Sequence, residues 1–417
     1  MLKHTARLLF NRIAPRLAPH FAPFVPRQDA YVHDARALAD VMDLLPEDLA
    51  APQQQPELAG RLSPPVCAWY IPPLDNVAYG GARTIVRCAA HLRRTLGMRQ
   101  RFLICGQGDA AALRQSIVSV FPDLADVEVD TLDSIAKLQA IPDATVSIAT
   151  LWTTAFTLAR VRNSAFKYYF IQDYEPLFYP AGTISALVEA TYRFGYRAIT
   201  NTDQLAAIYR RDFGGEAISF MPAIEPSVFH APVPDNRRGS DRIRVFSYAR
   251  PGHPRNAFEL LAATLRRVKA RHGDRVELLC AGAGWNPAEH GLEGIVTNLN
   301  MLSYAGTGDL YRSCHIGLTL MMTRHPSYLP FELMASGCLL ITNHNPVSGF
   351  LLRDGENCLL APPIASVLAA KVGEAIERYD DFAPLRQGAI DTIGGEHGDW
   401  ETQMRKVSDH FRGILNL

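Results

Sequence analysis

At 417 residues the chain is longer than one ordinary core organises, so two domains are expected. Forty-two basic residues balance 42 acidic ones, which argues against nucleic acid as the partner, because binding a phosphate backbone leaves a basic excess. With 48% hydrophobic and 20% charged residues, the composition excludes extended disorder.

The chain opens on "MLKHTARLLFNRIAPRLAPHFAPFVPR", with Lys3, Arg7, Arg12, Arg16 and Arg27 and no acid before Asp29. Three readings of residues 1–27 stay open. They are an amphipathic segment on an anionic membrane, an organelle transit peptide, or a basic helix packed on the protein itself. No apolar run reaches the roughly 20 residues of a membrane span. Residues 45–65, rich in Pro, Ala and Gln, read as a linker, so 1–64 are expected as a basic N-terminal segment and linker.

A strand–helix alternation then begins. "VCAWYIP" and "RFLICG" read as strands, each followed by a helical pattern, and "VEVDTL" and "ATVSIATLW" as further strands. "FKYYFIQDYEP" is an aromatic strand ending in acids, followed by "ISALVEATYRFG" (helix), "YRAITNT" (strand) and "TDQLAAIYRRDFG" (helix). This predicts a first domain over 65–235 with a parallel sheet covered on both faces. "EPSVFHAPVPDNRRGSDR" breaks the rhythm, which restarts over 240–395 with "IRVFSYA" and a helix expected to be capped by Asn256 and Glu259. Trp400, Met404, Val407, Phe411 and Leu415 recur at helical spacing and predict an amphipathic helix within 396–417. The fold class is therefore α/β, with two doubly wound Rossmann-like domains facing an interdomain cleft.

The seven cysteines form no CxxC pair and are scattered, several in strand-like runs, which suits small buried hydrophobes in a reducing compartment. No zinc spacing occurs, and no metal site is expected.

Five stretches carry chemistry. "CGQGDAA" is G-x-G-x-x-A after a strand, with Asp130 22 residues beyond Gly108, the outline of a dinucleotide fingerprint and hence of an NAD-dependent oxidoreductase. A complete β/α unit precedes it, whereas the fingerprint belongs on the first strand. In "NVAYGGARTI", Gly80 and Gly81 precede a helix and form a cleft loop that lets a ligand approach the backbone. In "FIQDYEP", Asp173 and Glu175 share a side if the strand continues. They are acid/base candidates, Asp173 first, against the plainer reading of solvated loop acids. In "FSYARPGHPRNAFELL", Arg250 and Arg255 suit a diphosphate. Finally, "HPSYLPFELMASG" offers the backbone of Ser327, Tyr328 and Leu329 to phosphate or sugar oxygens. Glu332 there is an acid among apolar neighbours, costly unless satisfied, and suited to accept from a pair of ribose hydroxyls. A helix start or a nearby Arg is the alternative partner.

Together these stretches resemble the GT-B glycosyltransferases of the family-4-like group, whose "E-x-x-A-x-G" run is matched by Glu332, Ala335 and Gly337. "YFIQDYEPLFYP", "YARPGHPRNAFEL" and "HPSYLPFELMASG" look closer still to WsaF-type rhamnosyltransferases of bacterial surface glycans, over roughly residues 65–415. The resemblance implies a nucleotide-sugar donor, dTDP-L-rhamnose, and a growing glycan or lipid-linked glycan acceptor at the cytoplasmic face of a membrane. It also implies no bound metal or cofactor, with basic groups offsetting the leaving diphosphate. The same resemblance places Asn300, which follows a strand, near the nucleotide base. One departure stands out: the family's first glutamate is Arg324 here. Two rival functions follow from the same residues, the NAD enzyme and a non-catalytic sugar-binding component of a glycan assembly complex.

Overall fold

The strands explain themselves by burial. "VCAWYI" and "SAFKYYFI" are buried at every position, as parallel strands covered on both faces must be. The computed structural model describes residues 29–416 apart from 75, 76, 78, 79, 236, 238–240, 397 and 398, so the basic segment 1–27 lies outside the described residues. Residues 29–43 include a helix, Asp29–Val41, and Leu44–Leu417 form a separate compact unit.

In that unit the first sheet has seven parallel strands: β1 (Val66–Ile71), β2 (Arg99–Ile104), β3 (Glu128–Thr131), β4 (Ala144–Ala149), β5 (Ser164–Ile171), β6 (Arg197–Asn201) and β7 (Ala217–Phe220). Their order is β3-β2-β1-β4-β5-β6-β7. The second sheet has β8 (Ile243–Tyr248), β9 (Val276–Ala281), β10 (Thr297–Asn298), β11 (Ile316–Thr319), β12 (Leu339–Asn343) and β13 (Leu359–Ala361), in the order β10-β9-β8-β11-β12-β13. Strand order reverses beside β1 and beside β8, and ligands of open parallel sheets bind at such switch points.

Each sheet is a sandwich filling. In the second domain, helices Phe258–His272 and Ala365–Glu377 bury Leu261, Leu265, Leu368 and Val372 against one face. Tyr304–Ser313, Leu329–Ala335 and Ala383–Glu396 bury Tyr311, Met334 and Ala389 against the other. The last helix, Trp400–Leu415, follows the second domain in sequence but buries Trp400, Met404, Val407 and Phe411 in the first domain's core. Tyr168 Oη and His410 Nε2, 2.7 Å apart, fix it to β5.

Three local expectations change. Residues 53–55, read as linker, lie against β5: Gln55 N–H donates to Ala165 O (2.7 Å), and Gln53 Oε1 accepts from the buried Lys167 Nζ (2.7 Å). Asn256 does not cap the following helix. Pro254 starts a short 3-10 turn that includes Asn256, and Ala257, with φ 47°, becomes the cap without a side-chain bond. The strand read through Trp152 stops at Ala149, because a helix begins at Trp152.

Candidate active site

Between the sheets lies a cavity of about 570 Å³, and its polar lining comes from segments that follow the strands' carboxyl ends. After β1, the helix Gly80–Leu96 starts with Gly80 at φ 49°, a backbone region that favours glycine. The Gly81 carbonyl accepts from Gln172 Nε2 at 3.1 Å, and a Cβ on Gly81 would stand 2.9 Å from that nitrogen. Both glycines line the cavity.

After β5 the strand stops at Ile171 and a 3-10 turn starts at Glu175, so the two acids do not share a strand face as expected. Asp173 reaches the second domain. Its Oδ2 accepts from Thr323 Oγ1 at 2.9 Å and lies 3.5 Å from Arg255 Nη1, while Oδ1 accepts from Tyr174 N–H at 2.7 Å. Burial raises this carboxyl to about 6, against the opposing pull of Arg255 and Thr323.

Glu175 also borders the cavity, but its Oε2 is engaged. It accepts from Trp152 N–H (2.8 Å) and Tyr169 O–H (2.9 Å), and burial raises the group to about 8. Trp152 opens the helix after β4, so Glu175 ties together the loops that follow β4 and β5. Glu175→Ala is expected to lower unfolding stability by about 1–3 kcal/mol for each stranded donor, with Glu175→Gln far milder. An unchanged urea midpoint in the alanine variant would remove this tether role.

After β8, Arg250 and Arg255 line the cavity. Arg250 donates from Nη1 to Tyr248 Oη at 3.3 Å, while its buried Nε has no partner. The Arg255 guanidinium lies 4.5 Å over the Phe178 ring. Asn300 is not brought in. It is exposed at φ 58°, its carbonyl accepts from Gly282 N–H (3.0 Å), and Met301 and Leu302 line the wall beside it.

After β11 the loop is braced by two asparagines from the end of β12. Asn343 Oδ1 accepts from Met321 N–H (2.8 Å), and Asn345 Nδ2 donates to the carbonyls of Thr323 (2.9 Å) and His325 (3.2 Å). The expected backbone cradle is narrower than three residues. Ser327 N–H already donates to His325 Nδ1 (3.0 Å), Pro330 has no N–H, and Phe331 and Glu332 N–H both go to Tyr328 O. Among the described residues this leaves the Tyr328 and Leu329 N–H groups without a backbone partner. The Tyr328 phenol crosses to the first domain, 2.9 Å from Thr84 Oγ1 and accepting from Asn201 Nδ2 at 2.5 Å.

Glu332 stands half-buried on the cavity wall. Neither a helix start nor an arginine satisfies it, because among the described residues no hydrogen-bond donor or cation reaches its carboxylate. Burial alone raises it to about 8. Arg324 is exposed over the Tyr174 ring (5.1 Å) and does not line the cavity.

Sequence reasoning missed Thr323, His325, Arg83 and Arg87. The two arginines were legible: four residues apart on a helix after a glycine loop, they share a face. Arg83 stacks on Tyr304 at 4.3 Å with its Nε unpartnered, and Arg87 pairs with Glu225 at 3.2 Å. The "CGQGDAA" glycines do not line the cavity; a Cβ on Gly108 would stand 2.9 Å from Ile104 Cγ2, which gives that glycine a packing reason. Among the described residues no three His, Cys, Asp or Glu side chains are placed to share a metal ion, and no helix is long and apolar enough to cross a membrane. Four guanidiniums thus face acids of which two, Glu175 and Glu332, are held largely protonated near neutral pH. The cavity is therefore electropositive and suits a dianion.

Comparison with known proteins bears on the fold. Residues 243–373 match the family model "WsaF, C-terminal domain". Over 350 residues the chain is 39% identical to the O-antigen biosynthesis protein RfbC of Myxococcus xanthus, covering 84% of this chain but 27% of that protein. Among solved structures it is similar to Anabaena HepE in complex with UDP and glucose (TM-score 0.65, 15% identity, 84% of this chain and 99% of that one). It is also similar to sucrose-phosphate synthase of Thermosynechococcus elongatus (TM-score 0.63, 14% identity, 84% and 99%). The fold is GT-B.

Proposed function

We propose that this chain, GT-B in fold and WsaF-like in its second domain, transfers a sugar from a nucleoside diphosphate to a bacterial surface glycan. The observation that carries this reading is one cavity lined both by unpaired arginine nitrogens and by the carboxyl of Glu332, which burial holds largely protonated. Burying such groups unpaired is costly, and a ligand that pairs them recovers that cost.

In this reading Arg250 and Arg255 hold the diphosphate with the Tyr328 and Leu329 N–H groups, and Glu332 accepts from the ribose. The bond between the sugar's anomeric carbon and the diphosphate oxygen breaks, and the oxygen leaves with the nucleotide. The acceptor's hydroxyl oxygen bonds to that carbon and gives its proton to a base, for which Asp173 is our candidate. Guanidiniums rather than a metal ion offset the leaving charge. Glu175 serves as the loop tether, and Asn300 shapes the wall through its carbonyl.

The finer identity of the substrates belongs to the same proposal. The WsaF likeness favours dTDP-L-rhamnose, and the name of the RfbC relative favours a glycan, or its lipid-linked precursor, as acceptor. A lipid-linked acceptor would place the enzyme at the cytoplasmic face of a membrane, with residues 1–27 as a surface contact. One chemical point separates donors: a pair of vicinal hydroxyls exists in uridine diphosphate, whereas thymidine diphosphate offers Glu332 only the 3′-hydroxyl.

Thermal shift with UDP, dTDP and NAD tests the class of ligand. A ligand selective for the folded state stabilises by about 2.7 kcal/mol at a hundred times its Kd. We expect UDP or dTDP to raise Tm and NAD to leave it unchanged. A shift with NAD alone would return the oxidoreductase reading.

A further inference from the structure

His325 is a buried polar side chain on the cavity wall with an unpaired nitrogen. It is 5% exposed and lines the cavity. Its Nδ1 accepts from Ser327 N–H at 3.0 Å, a bond made possible by the left-handed backbone of Ser327 at φ 67°. A nitrogen that accepts carries no proton, so the ring is neutral with its hydrogen on Nε2. Burial, with Arg255 nearby, drives the imidazolium down to about 3, so this tautomer persists across ordinary pH.

That Nε2–H is buried and has no partner. The loop that carries it is fixed, because Asn345 Nδ2 donates to the carbonyls of both Thr323 and His325. The left-handed backbone at Ser327 and two hydrogen bonds from Asn345 therefore hold one ring on the cavity wall with its Nε2–H buried and unpaired. The ring also sits at a defined end of the site. Thr323, two residues earlier, donates to Asp173 Oδ2, while Glu332 lies beyond it on the helix Leu329–Ala335.

We infer that His325 is a positioning residue whose Nε2–H donates to an oxygen of the donor's sugar, on the Asp173 side of the diphosphate. This rests on the nucleotide-sugar reading of the cleft. A neutral donor fits a sugar hydroxyl there, since Arg250 and Arg255 already supply the charge a diphosphate needs.

Two substitutions separate this role from loop support. His325→Asn keeps an acceptor for Ser327 N–H and loses the Nε2 donor; His325→Gln does the reverse. Calorimetry would compare UDP with UDP-glucose, and dTDP with dTDP-L-rhamnose. For whichever pair binds the wild type, the asparagine variant should weaken the nucleotide-sugar about fivefold to tenfold and leave the nucleoside diphosphate within twofold. The glutamine variant should recover most of the loss. Equal weakening of both ligands, or of neither, overturns the assignment and leaves the cleft reading standing. If neither pair binds the wild type, the cleft reading fails and takes this inference with it.

Discussion

Glu332→Gln is expected to stabilise the empty protein and weaken its nucleotide complex. The carboxyl is raised by burial from its ordinary 4.5 to about 8. Between those values the folded protein holds a proton that the unfolded chain has released, so stability falls as pH rises from about 4.5 to about 8. The penalty is absent below that window and complete above it. Glutamine carries no such penalty, so the variant's gain in Tm should be small at pH 5 and largest at pH 8 and above. With nucleotide bound, the sign reverses. A carboxylate accepting from ribose is a charge-assisted contact of about 1.5–3 kcal/mol, so affinity should fall roughly tenfold to hundredfold. The wild type should also release a proton on binding near pH 7, because the acid must ionise to accept. Titrations in buffers of different ionisation enthalpy would detect that proton. A variant no more stable at pH 8, with unchanged nucleotide affinity, would take Glu332 out of the site.

Arg255→Ala is expected to have the largest effect on turnover. This guanidinium lies over Phe178, touches Asp173 and faces the cavity, so it links the candidate base to the proposed diphosphate position. Removing a preorganised donor from developing charge costs about a hundredfold to a thousandfold in rate. Arg255→Lys should recover only part, since an ammonium restores charge but not the planar fork. The loss should also depend on pH. Arg255 is the leading influence that holds Asp173 down against burial, so its removal moves that carboxyl above its present value of about 6. A base that must be ionised then stays protonated up to a higher pH, and the acid limb of the rate profile moves upward. A rate within threefold of wild type, with an unmoved profile, would contradict both roles of Arg255.

Much of this site was legible because of where parallel strands end. Gly80, Gly81, Asp173, Arg250, Arg255 and Glu332 each follow an apolar run that had to be a strand or its helix, and such sheets open their carboxyl ends on one cleft. What stayed hidden depends on partners far apart in sequence. Glu175 reads as a second catalytic acid until Trp152 N–H and Tyr169 O–H are seen on the same oxygen. The Tyr328 backbone was legible as part of the donor loop, but not its phenol, which meets Thr84 and Asn201 of the first domain. Asn300 followed a strand as expected, yet a left-handed backbone uses it to hold Gly282. His325 stood inside the motif already singled out, but its free nitrogen is defined only by the hydrogen bond on the other one.

Sugar transfer is the property that separates an enzyme from a binding protein here. UDP-glucose and dTDP-L-rhamnose labelled in the sugar would be incubated with the protein and lipid-linked glycans extracted from a bacterial envelope. Label is expected in the glycan fraction, lost with Arg255→Ala and reduced with Glu332→Gln. Tight binding of a nucleotide-sugar with neither transfer nor slow hydrolysis, across donors and acceptors, would contradict the transferase reading and make the chain a sugar-binding component instead.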